Sequence, residues 1–474
     1  MASATETGYV GNLTSTQEVK LRNFWKILMQ SWGANISAPT TGSNESAHSN
    51  GSAQLRPRLF SLSRAPTQPT ENETAAIPAQ FLSSLKELDA GPNELKSINA
   101  LLLKLSGDRL RSTYLTVLKQ DHPDALLLRF LRAEKWDVPK AWIKFIAALD
   151  WRVNEFKVDE EVMLKGEGHN FEKSKLTDNS DEKKDGEGFM LQAYTGKGFF
   201  HGKDKYDRPI CVVRVRLHDP STATKKGLND YIIHCIETVR FLQVPPVETM
   251  TIVFDLTSFS LSNWDFPPVK FIIDIFQESY PESLGAMIFY NAPWIFSGFW
   301  KLIRGILDPV VAAKVHFISG AKDLEQIIPE DQIIKELGGK EDWDYKYIEP
   351  EASENARLLD TETRSTLLAE REKLGGELFT FTSNLIANPK DDTSLKRREE
   401  VIKKLRENYW TLDPYIRARS LLDRTGVIQS NGKVDFYPPV KAPAATETQA
   451  PVTNEKVDTT TEQVSEPPLT AAAS

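Results

Sequence analysis

Short apolar runs alternate with helical patterns between residues 189 and 319, and this alternation limits the fold more than any other feature of the chain. We predict strands at 189–194, 210–215, 250–255, 286–290 and 314–319. Helical patterns lie between them at 228–243, 268–277 and 295–307. Strands separated by helices of about 10–15 residues form βαβ crossovers, so we expect an α/β fold with a mixed, mostly parallel sheet flanked by helices.

The last of these predicted helices, 295–307, carries apolar residues nearly all round its axis. They include Phe296, Phe299, Trp300, Ile303, Ile306 and Leu307. A helix that is apolar on all sides is either fully buried or lies against something apolar that is not protein. A lipid chain or a membrane surface would satisfy the second alternative, and a core helix would satisfy the first. Arg304, Gly305, Asp308 and Pro309 lie at its end, where the glycine and the Asp-Pro pair supply the chain breaks that a hinge uses.

The composition argues against several classes of function. The net charge of −8 gives no basic footprint for nucleic acid. The histidines show no metal-ligand spacing, so we predict no metal and no cofactor. Cys211 and Cys235 fall in a predicted strand and a predicted helix, as expected for small buried side chains in a reducing compartment. No run approaches the ~18 apolar residues of a membrane span, and no signal peptide is evident.

The segments outside the strand region are mostly helical or polar. Residues 1–33 contain an amphipathic helix, for which docking on the main body is favoured over an interfacial membrane helix. Segments 34–78 and 439–474 have the composition of disordered chain. Residues 79–165 are predicted to be a helical subdomain, 186–345 the strand-containing domain, and 346–438 a further helical part. Residues 166–187 between the first two are predicted to be an exposed loop.

Three motifs in order resemble the CRAL-TRIO domain of phosphatidylinositol/phosphatidylcholine transfer proteins, and the flanking segments resemble extensions of fungal members. The first is Leu-Leu-Arg-Phe-Leu-Arg-Ala-Glu-Lys-Trp-Asp-Val, ending at Val138. The second is Gly-Lys-Asp-Lys-Tyr-Asp-Arg-Pro-Ile, ending at Ile210. The third is the Tyr-Pro-Glu series that starts at Tyr280 and reaches Lys314. The resemblance implies a helical N-terminal subdomain packed on a sheet, one face of which encloses a lipid cavity.

The resemblance also implies a headgroup site and a gate. Glu282 and Lys314 match the acidic residue and the lysine that the family uses around the inositol headgroup. Without the resemblance, these two residues would be interpreted as a salt bridge at the margin of the sheet. Tyr280, Glu134 and Lys135 fall in the same motifs. Glu134 replaces a family arginine, so it either borders the phosphate or is a surface residue paired with an arginine in 129–132. The gate over the acyl cavity corresponds to Phe296, Phe299, Trp300, Ile303, Ile306 and Leu307.

Three other positions depart from the family pattern: Val311, Ser283 and Met250 replace a threonine, an arginine and a serine. The resemblance nevertheless implies a non-enzymatic, monomeric carrier of phosphatidylinositol, with phosphatidylcholine left open as a second ligand. It would be cytoplasmic, would contact internal membranes transiently and would bind no nucleic acid. Two alternatives stay open: a non-transferring binder of another hydrophobic ligand such as a sterol, and a nucleotide-dependent α/β enzyme.

The enzyme is disfavoured because no phosphate loop or catalytic motif is present. The segment 196–203 is rich in glycine, but its glycines have the wrong spacing for a phosphate loop and Asp204 stands where Ser or Thr would bind magnesium. We interpret this segment as part of a β-hairpin.

Overall fold

The computed structural model describes residues 7–36 and 77–439. The segments predicted to be disordered, 34–78 and 439–474, lie outside the described residues except for their outermost positions. Within these two ranges, no helix is long and apolar enough to cross a membrane.

The N-terminal helix α1 (Ser15–Ser31) packs on the main body of the protein. A capping box starts it: the Thr14 hydroxyl accepts from the Gln17 amide, and the Gln17 side chain accepts from the Thr14 amide. Phe24 and Leu28 on its apolar stripe are fully buried. That stripe is therefore covered by protein and does not face a membrane.

Helices continue from residue 79 as far as the first strand. Helices α2–α6 span Ala79–Glu87, Pro92–Lys104, Gly107–Leu118, Pro123–Ala133 and Val138–Asp150, and two π-helical segments follow at Trp151–Glu155 and Val158–Met163. Helices α7 and α8 then span Gly166–Ser174 and Asp181–Thr195. The predicted loop at 166–187 and the predicted strand at 189–194 are therefore wrong.

Helix α8 forms because its apolar residues have helical rather than alternating spacing. Phe189, Met190 and Ala193 bury one face of the helix in a small cluster that also includes Phe171. The Ser180 hydroxyl accepts from a backbone amide at the start of α8, and Gly196 ends it in the left-handed region with a φ of 60°.

Five strands form one sheet in the order β1-β2-β3-β4-β5. They span Gly198–Lys203, Pro209–Arg214, Met250–Asp255, Leu284–Tyr290 and Val315–Ile318. Strands β1 and β2 form an antiparallel hairpin, and every other neighbouring pair is parallel. The predicted mixed, mostly parallel sheet is confirmed, as is the hairpin that we preferred to a phosphate loop.

The crossovers between the parallel strands are helical, as predicted. They are α9 (Lys225–Leu242) between β2 and β3, α10 (Phe266–Glu278) between β3 and β4, and α11 (Phe296–Arg304) with α12 (Pro309–Ala312) between β4 and β5; α13 (Ala321–Leu324) follows β5. Alternate residues of each strand face opposite sides of the sheet. In β3, Val253 joins the cluster on the α13 side, whereas Ile252 joins the cluster on the side of α9, α10 and α11.

The C-terminal helices pack against the N-terminal ones and share their core. Helices α14, α15 and α16 span Thr361–Ala387, Asp392–Ile416 and Leu421–Arg424. Leu378 of α14 and Leu405 of α15 lie in the same buried cluster as Phe24 of α1. Asp124 of α5 links α1 and α15, because its carboxylate accepts from Trp25 Nε1 at 2.7 Å and from Arg398 at 2.6 and 2.9 Å.

Candidate functional site

An apolar cavity of about 220 Å³ lies on one face of the sheet, between the sheet and the crossover helices. Its floor comes from β1, β2, β3 and β4, and its walls come from α9 and α10. Side chains such as Val213, Ile252, Met287 and Phe276 line it. The β-branched and aromatic residues of the buried strands therefore do two things here: they hold the sheet together and they give the cavity an apolar surface.

Helix α11 covers this cavity with one face only, so the expectation of a helix apolar all round is wrong. The helix ends at Arg304, three residues earlier than predicted, and Lys301 and Arg304 are exposed on its outer side. Of the six predicted gate residues, Phe296, Ile303 and Leu307 line the cavity.

The other three predicted gate residues lie outside the cavity lining. Phe299 and Trp300 are half-buried and pack against the surrounding apolar cluster. The Phe299 ring stacks on Trp264 with a centroid distance of 4.1 Å. Ile306 lies beyond the end of the helix and is exposed.

Glu282 and Lys314 form an ion pair next to one end of the cavity. Lys314 Nζ lies 3.5 Å from Glu282 Oε2. The two residues come just before β4 and β5, which are parallel neighbours, and so both lie at the amino ends of those strands. Met287 of the cavity floor is paired with Val315, the residue after Lys314. Neither charged side chain is fully buried, so both remain open to a ligand group.

The structure does not bring the other predicted headgroup residues into this pair. Glu134 ends α5 and its carboxylate lies 2.8 Å from Lys144 Nζ, so the alternative of a pair with an arginine in 129–132 is wrong. Lys144 Nζ is also 3.8 Å from Glu278, at the end of α10. Lys135 is exposed and has no ion-pair partner in the part of the chain that the structure describes.

Tyr280 is turned inward, toward a buried charge network that the sequence did not reveal. Its hydroxyl donates to Glu237 at 2.5 Å. Glu237 is fully buried on α9 and also accepts from Arg152 at 2.7 and 3.0 Å and from Lys119. Neighbouring cations hold the pKa of Glu237 well below its usual range, although burial alone would raise it. Tyr280 therefore fixes the loop before β4 to the helices instead of facing the ion pair.

Comparison with known proteins decides the family. Residues 79–147 match the CRAL/TRIO N-terminal domain and residues 193–339 match the CRAL/TRIO domain. A phosphatidylinositol transfer protein, CSR1, of Eremothecium gossypii is 35% identical over 90% of this chain and 100% of its own length. This chain belongs to the CRAL-TRIO family. A CRAL-TRIO domain-containing protein of Schizosaccharomyces pombe is 34% identical over 88% of this chain and 91% of its own.

The match to these two CRAL-TRIO relatives covers more than the domain itself. The Sec14 cytosolic factor of Schizosaccharomyces pombe, in contrast, is 30% identical over only 46% of this chain and 74% of its own. The long matches extend over most of the chain, in agreement with the core that the C-terminal helices share with α1.

The CRAL-TRIO cavity of this chain has a second polar group, at its other end, which sequence reasoning missed. Lys197 Nζ lies 2.7 Å from His218 Nδ1, and His218 Nε2 lies 3.2 Å from Asp265 Oδ2. All three side chains line the cavity. Burial lowers the pKa of Lys197 to about 8, and burial together with Lys197 lowers the pKa of His218. The imidazole is therefore neutral near pH 7, with Nδ1 accepting from the ammonium.

Gln192 also lines the same cavity. Its side chain is 1% exposed, and its amide nitrogen donates to the Gly188 carbonyl at 2.9 Å. The side-chain oxygen has no hydrogen-bond partner among the described residues. A buried oxygen without a donor is costly to the folded state.

Proposed function

We propose that this protein binds a phospholipid, most specifically phosphatidylinositol, in the cavity and transfers it between membranes or presents it to lipid-modifying enzymes. The observation that carries the proposal is the apolar cavity with the Glu282–Lys314 pair beside it. The printed name of the Eremothecium relative, a phosphatidylinositol transfer protein, supports the same assignment.

The two parts of the site suit the two parts of such a lipid. Acyl chains gain about 0.8 kcal/mol for each methylene that they bury away from water, which offsets their removal from a bilayer. The Glu282 carboxylate accepts hydrogen bonds from inositol hydroxyls, and the Lys314 ammonium pairs with the phosphate. No covalent step is needed, so we propose a carrier rather than an enzyme.

The outer surface around α11 suits a transient membrane contact. Trp294 is 86% exposed, and Leu302, Val310 and Phe317 are each about half exposed. Exposed Lys301 and Arg304 lie among them. Aromatic, aliphatic and basic side chains together favour the interfacial region of a bilayer. We propose that α11 moves outward there and opens the cavity, that the protein is a cytoplasmic monomer, and that it contacts internal membranes only peripherally.

A vesicle assay tests the proposal. Donor vesicles carry labelled phosphatidylinositol, acceptor vesicles carry none, and the full chain is added in catalytic amount. We expect saturable transfer, and we expect Ile232→Trp to reduce it several-fold because the larger ring occupies the cavity. Ile232→Leu conserves the volume and is the matched control. No transfer above the spontaneous rate by the folded wild-type chain would refute the proposal.

A further inference from the structure

A second, smaller cavity of about 40 Å³ lies between the N-terminal helices and the loop that precedes β4. Leu126 of α5 and Ala148 of α6 line it together with Ser283 of that loop. It shares no lining residue with the large apolar cavity, and neither Glu282 nor Lys314 lines it. A cavity of this volume holds about three water molecules. The small cavity is therefore a separate site with room for a small ligand.

Three buried guanidinium groups line the small cavity, those of Arg129, Arg152 and Arg240. Two of them have carboxylate partners. Arg152 donates to Glu237 at 2.7 and 3.0 Å, and Arg240 donates to Asp121 at 2.8 Å. Arg129 is 8% exposed and forms no ion pair with any residue that the structure describes. A buried charge without a counter-charge is unfavourable, so Arg129 is the group that calls for a ligand.

Arg129 also leaves most of its hydrogen-bond donors unused. A guanidinium carries five N–H donors. Within the described part of the chain, Arg129 donates only from Nη1 to Ser283 Oγ at 3.2 Å, and its Nε has no partner. Arg371, another buried arginine without an ion pair there, instead donates to three backbone carbonyls at 2.9–3.0 Å. Arg129 therefore lacks the acceptors that satisfy Arg371.

The charges around the small cavity do not balance. The network contains four cations and three carboxylates: Arg129, Arg152, Arg240 and Lys119 against Asp121, Asp159 and Glu237. The neighbouring pair of Arg132 and Glu248 adds no net charge. Burial lowers the pKa of Arg129, whereas for Arg152 and Arg240 burial is outweighed by nearby carboxylates and the pKa is raised. The unbalanced positive charge is therefore that of Arg129.

We propose that the small cavity binds a singly charged oxyanion of the phosphate type, which accepts hydrogen bonds from Arg129. One negative charge balances the excess cation, and the planar guanidinium matches two oxygens of a phosphate. Asp121 also lines the cavity, but its carboxylate is paired with Arg240 at 2.8 Å. Trp151 and Ser279 of the lining are half-buried, so the ion has a route from solution.

Inorganic phosphate and the phosphate group of a lipid share this chemistry, and the lining favours the free ion. The volume of about 40 Å³ suits an inorganic ion and is too small for an inositol ring. The Glu282–Lys314 pair, at which the lipid headgroup is proposed to bind, does not line the small cavity. The oxyanion therefore binds in addition to the lipid and does not compete with it.

Equilibrium dialysis of the purified full chain against radiolabelled inorganic phosphate tests this site. The chain is first freed of lipid and dialysed into chloride, and phosphate then replaces chloride at constant ionic strength. We expect one phosphate per chain, together with a saturable rise in melting temperature, because a ligand that binds only the folded state stabilises it. No lipid is present, so a failure here leaves the proposed lipid transfer untouched.

The variant Arg129→Met keeps an unbranched side chain and removes the charge and the donors. We expect it to lose roughly tenfold or more in phosphate affinity, as loss of charge-assisted hydrogen bonds implies. Arg371→Met is the matched control, since it removes a buried guanidinium that does not line the small cavity, and its phosphate affinity should equal that of the wild type. Ala148→Leu keeps every charge but fills the cavity from α6, and it should also lose phosphate binding. The wild-type titration does not depend on whether a variant folds.

The same titration on the chain loaded with phosphatidylinositol separates the two sources of phosphate. Equal phosphate affinity with and without the lipid supports a site for the free ion. Loss of phosphate binding on loading would overturn the free-ion assignment and give the site to the lipid's own phosphate. The proposal as a whole is overturned if the folded wild-type chain binds no phosphate above chloride, or if Arg129→Met binds it as tightly as the wild type does.

Discussion

Lys314 Nζ lies 3.5 Å from Glu282 Oε2, across the amino ends of two neighbouring parallel strands. Glu282 holds this position with a left-handed backbone, at a φ of 56°, which is uncommon for a residue other than glycine. Strain of this kind persists where the surroundings over-determine the conformation, and it is concentrated at functional sites. The pair is therefore the first place to test recognition of the headgroup.

Replacing Lys314 by alanine should weaken transfer of phosphatidylinositol more than transfer of a lipid with a neutral headgroup. Loss of one charge-assisted bond at a partly exposed site corresponds to roughly a tenfold loss of affinity. Transfer of each lipid between vesicles measures the selectivity. Lys322→Ala, an exposed lysine on α13, is the control and should change neither rate. Equal loss for all lipids at an unchanged melting temperature would show that Lys314 does not recognise the headgroup.

Trp294→Asp should reduce binding to vesicles and lipid transfer several-fold without changing the melting temperature. The residue is 86% exposed beside α11, so the charge is not buried in the folded protein, but it opposes insertion into a bilayer. Leu359→Asp is the control, because Leu359 is 84% exposed in the C-terminal part of the chain. Vesicle flotation and transfer rates are the measurements. If both variants bind vesicles as the wild type does, the α11 surface is not the membrane contact.

Glu134→Arg should raise transfer of phosphatidylinositol relative to phosphatidylcholine, if this position borders the headgroup phosphate. Glu134 now neutralises Lys144, and the substitution replaces that carboxylate by a second cation. The effect should be larger at low salt, because partly exposed charges are screened. Glu134→Gln is the matched control, as it removes the carboxylate and adds no cation. An unchanged lipid preference in both variants would show that Glu134 does not border the headgroup phosphate and only pairs with Lys144.

Asp124→Asn should destabilise the protein by roughly 3–5 kcal/mol, because it leaves the buried Arg398 guanidinium with only the more distant Glu399 carboxylate, 4.0 Å away. The free energy of unfolding in urea measures this loss. Glu400→Gln, which is exposed on the same helix as Arg398, should change it by less than about 0.5 kcal/mol.

The same pair predicts how stability depends on pH. Arg398 and His122 hold the pKa of Asp124 at about 2, although burial alone would raise it. A carboxyl whose pKa is lowered on folding stabilises the protein above its unfolded pKa, and this stabilisation is lost as pH falls through the folded value. The difference between wild type and Asp124→Asn should therefore be full at pH 6 and should shrink between about pH 4 and pH 2. A constant difference over this range would contradict the assignment.

Much of the sheet was predictable from the sequence, because a short run of neighbouring apolar residues marks each buried strand. The apolar runs at 250–255 and 286–290 match strands β3 and β4 closely. The proximity of Glu282 and Lys314 also followed from parallel strands with a helical crossover. The strand predicted at 189–194 was wrong, because this apolar run belongs to helix α8, and the first strand begins only at Gly198. Ser180 and Gly196, which cap helix α8, were the signals that would have corrected it.

The second polar end of the cavity was not predictable in the same way. Lys197, His218 and Asp265 belong to three separate segments, 21 and 47 residues apart. No motif or period relates them, and each alone resembles an ordinary surface residue. Glu237 differs in this respect: it is a carboxylate on the apolar face of α9, next to Ile236, and a charge in such a position indicates a buried partner. Which cations pair with it is set by tertiary packing.

Native mass spectrometry of the full chain purified from cells tests the central claim most directly. The cavity and the Glu282–Lys314 pair predict about one phospholipid bound per chain, with phosphatidylinositol among the species released on activation. Lys314→Ala should lower the phosphatidylinositol fraction, and Lys322→Ala should not. A folded chain that carries no lipid, or that carries only lipids without a phosphate, would contradict the proposed function.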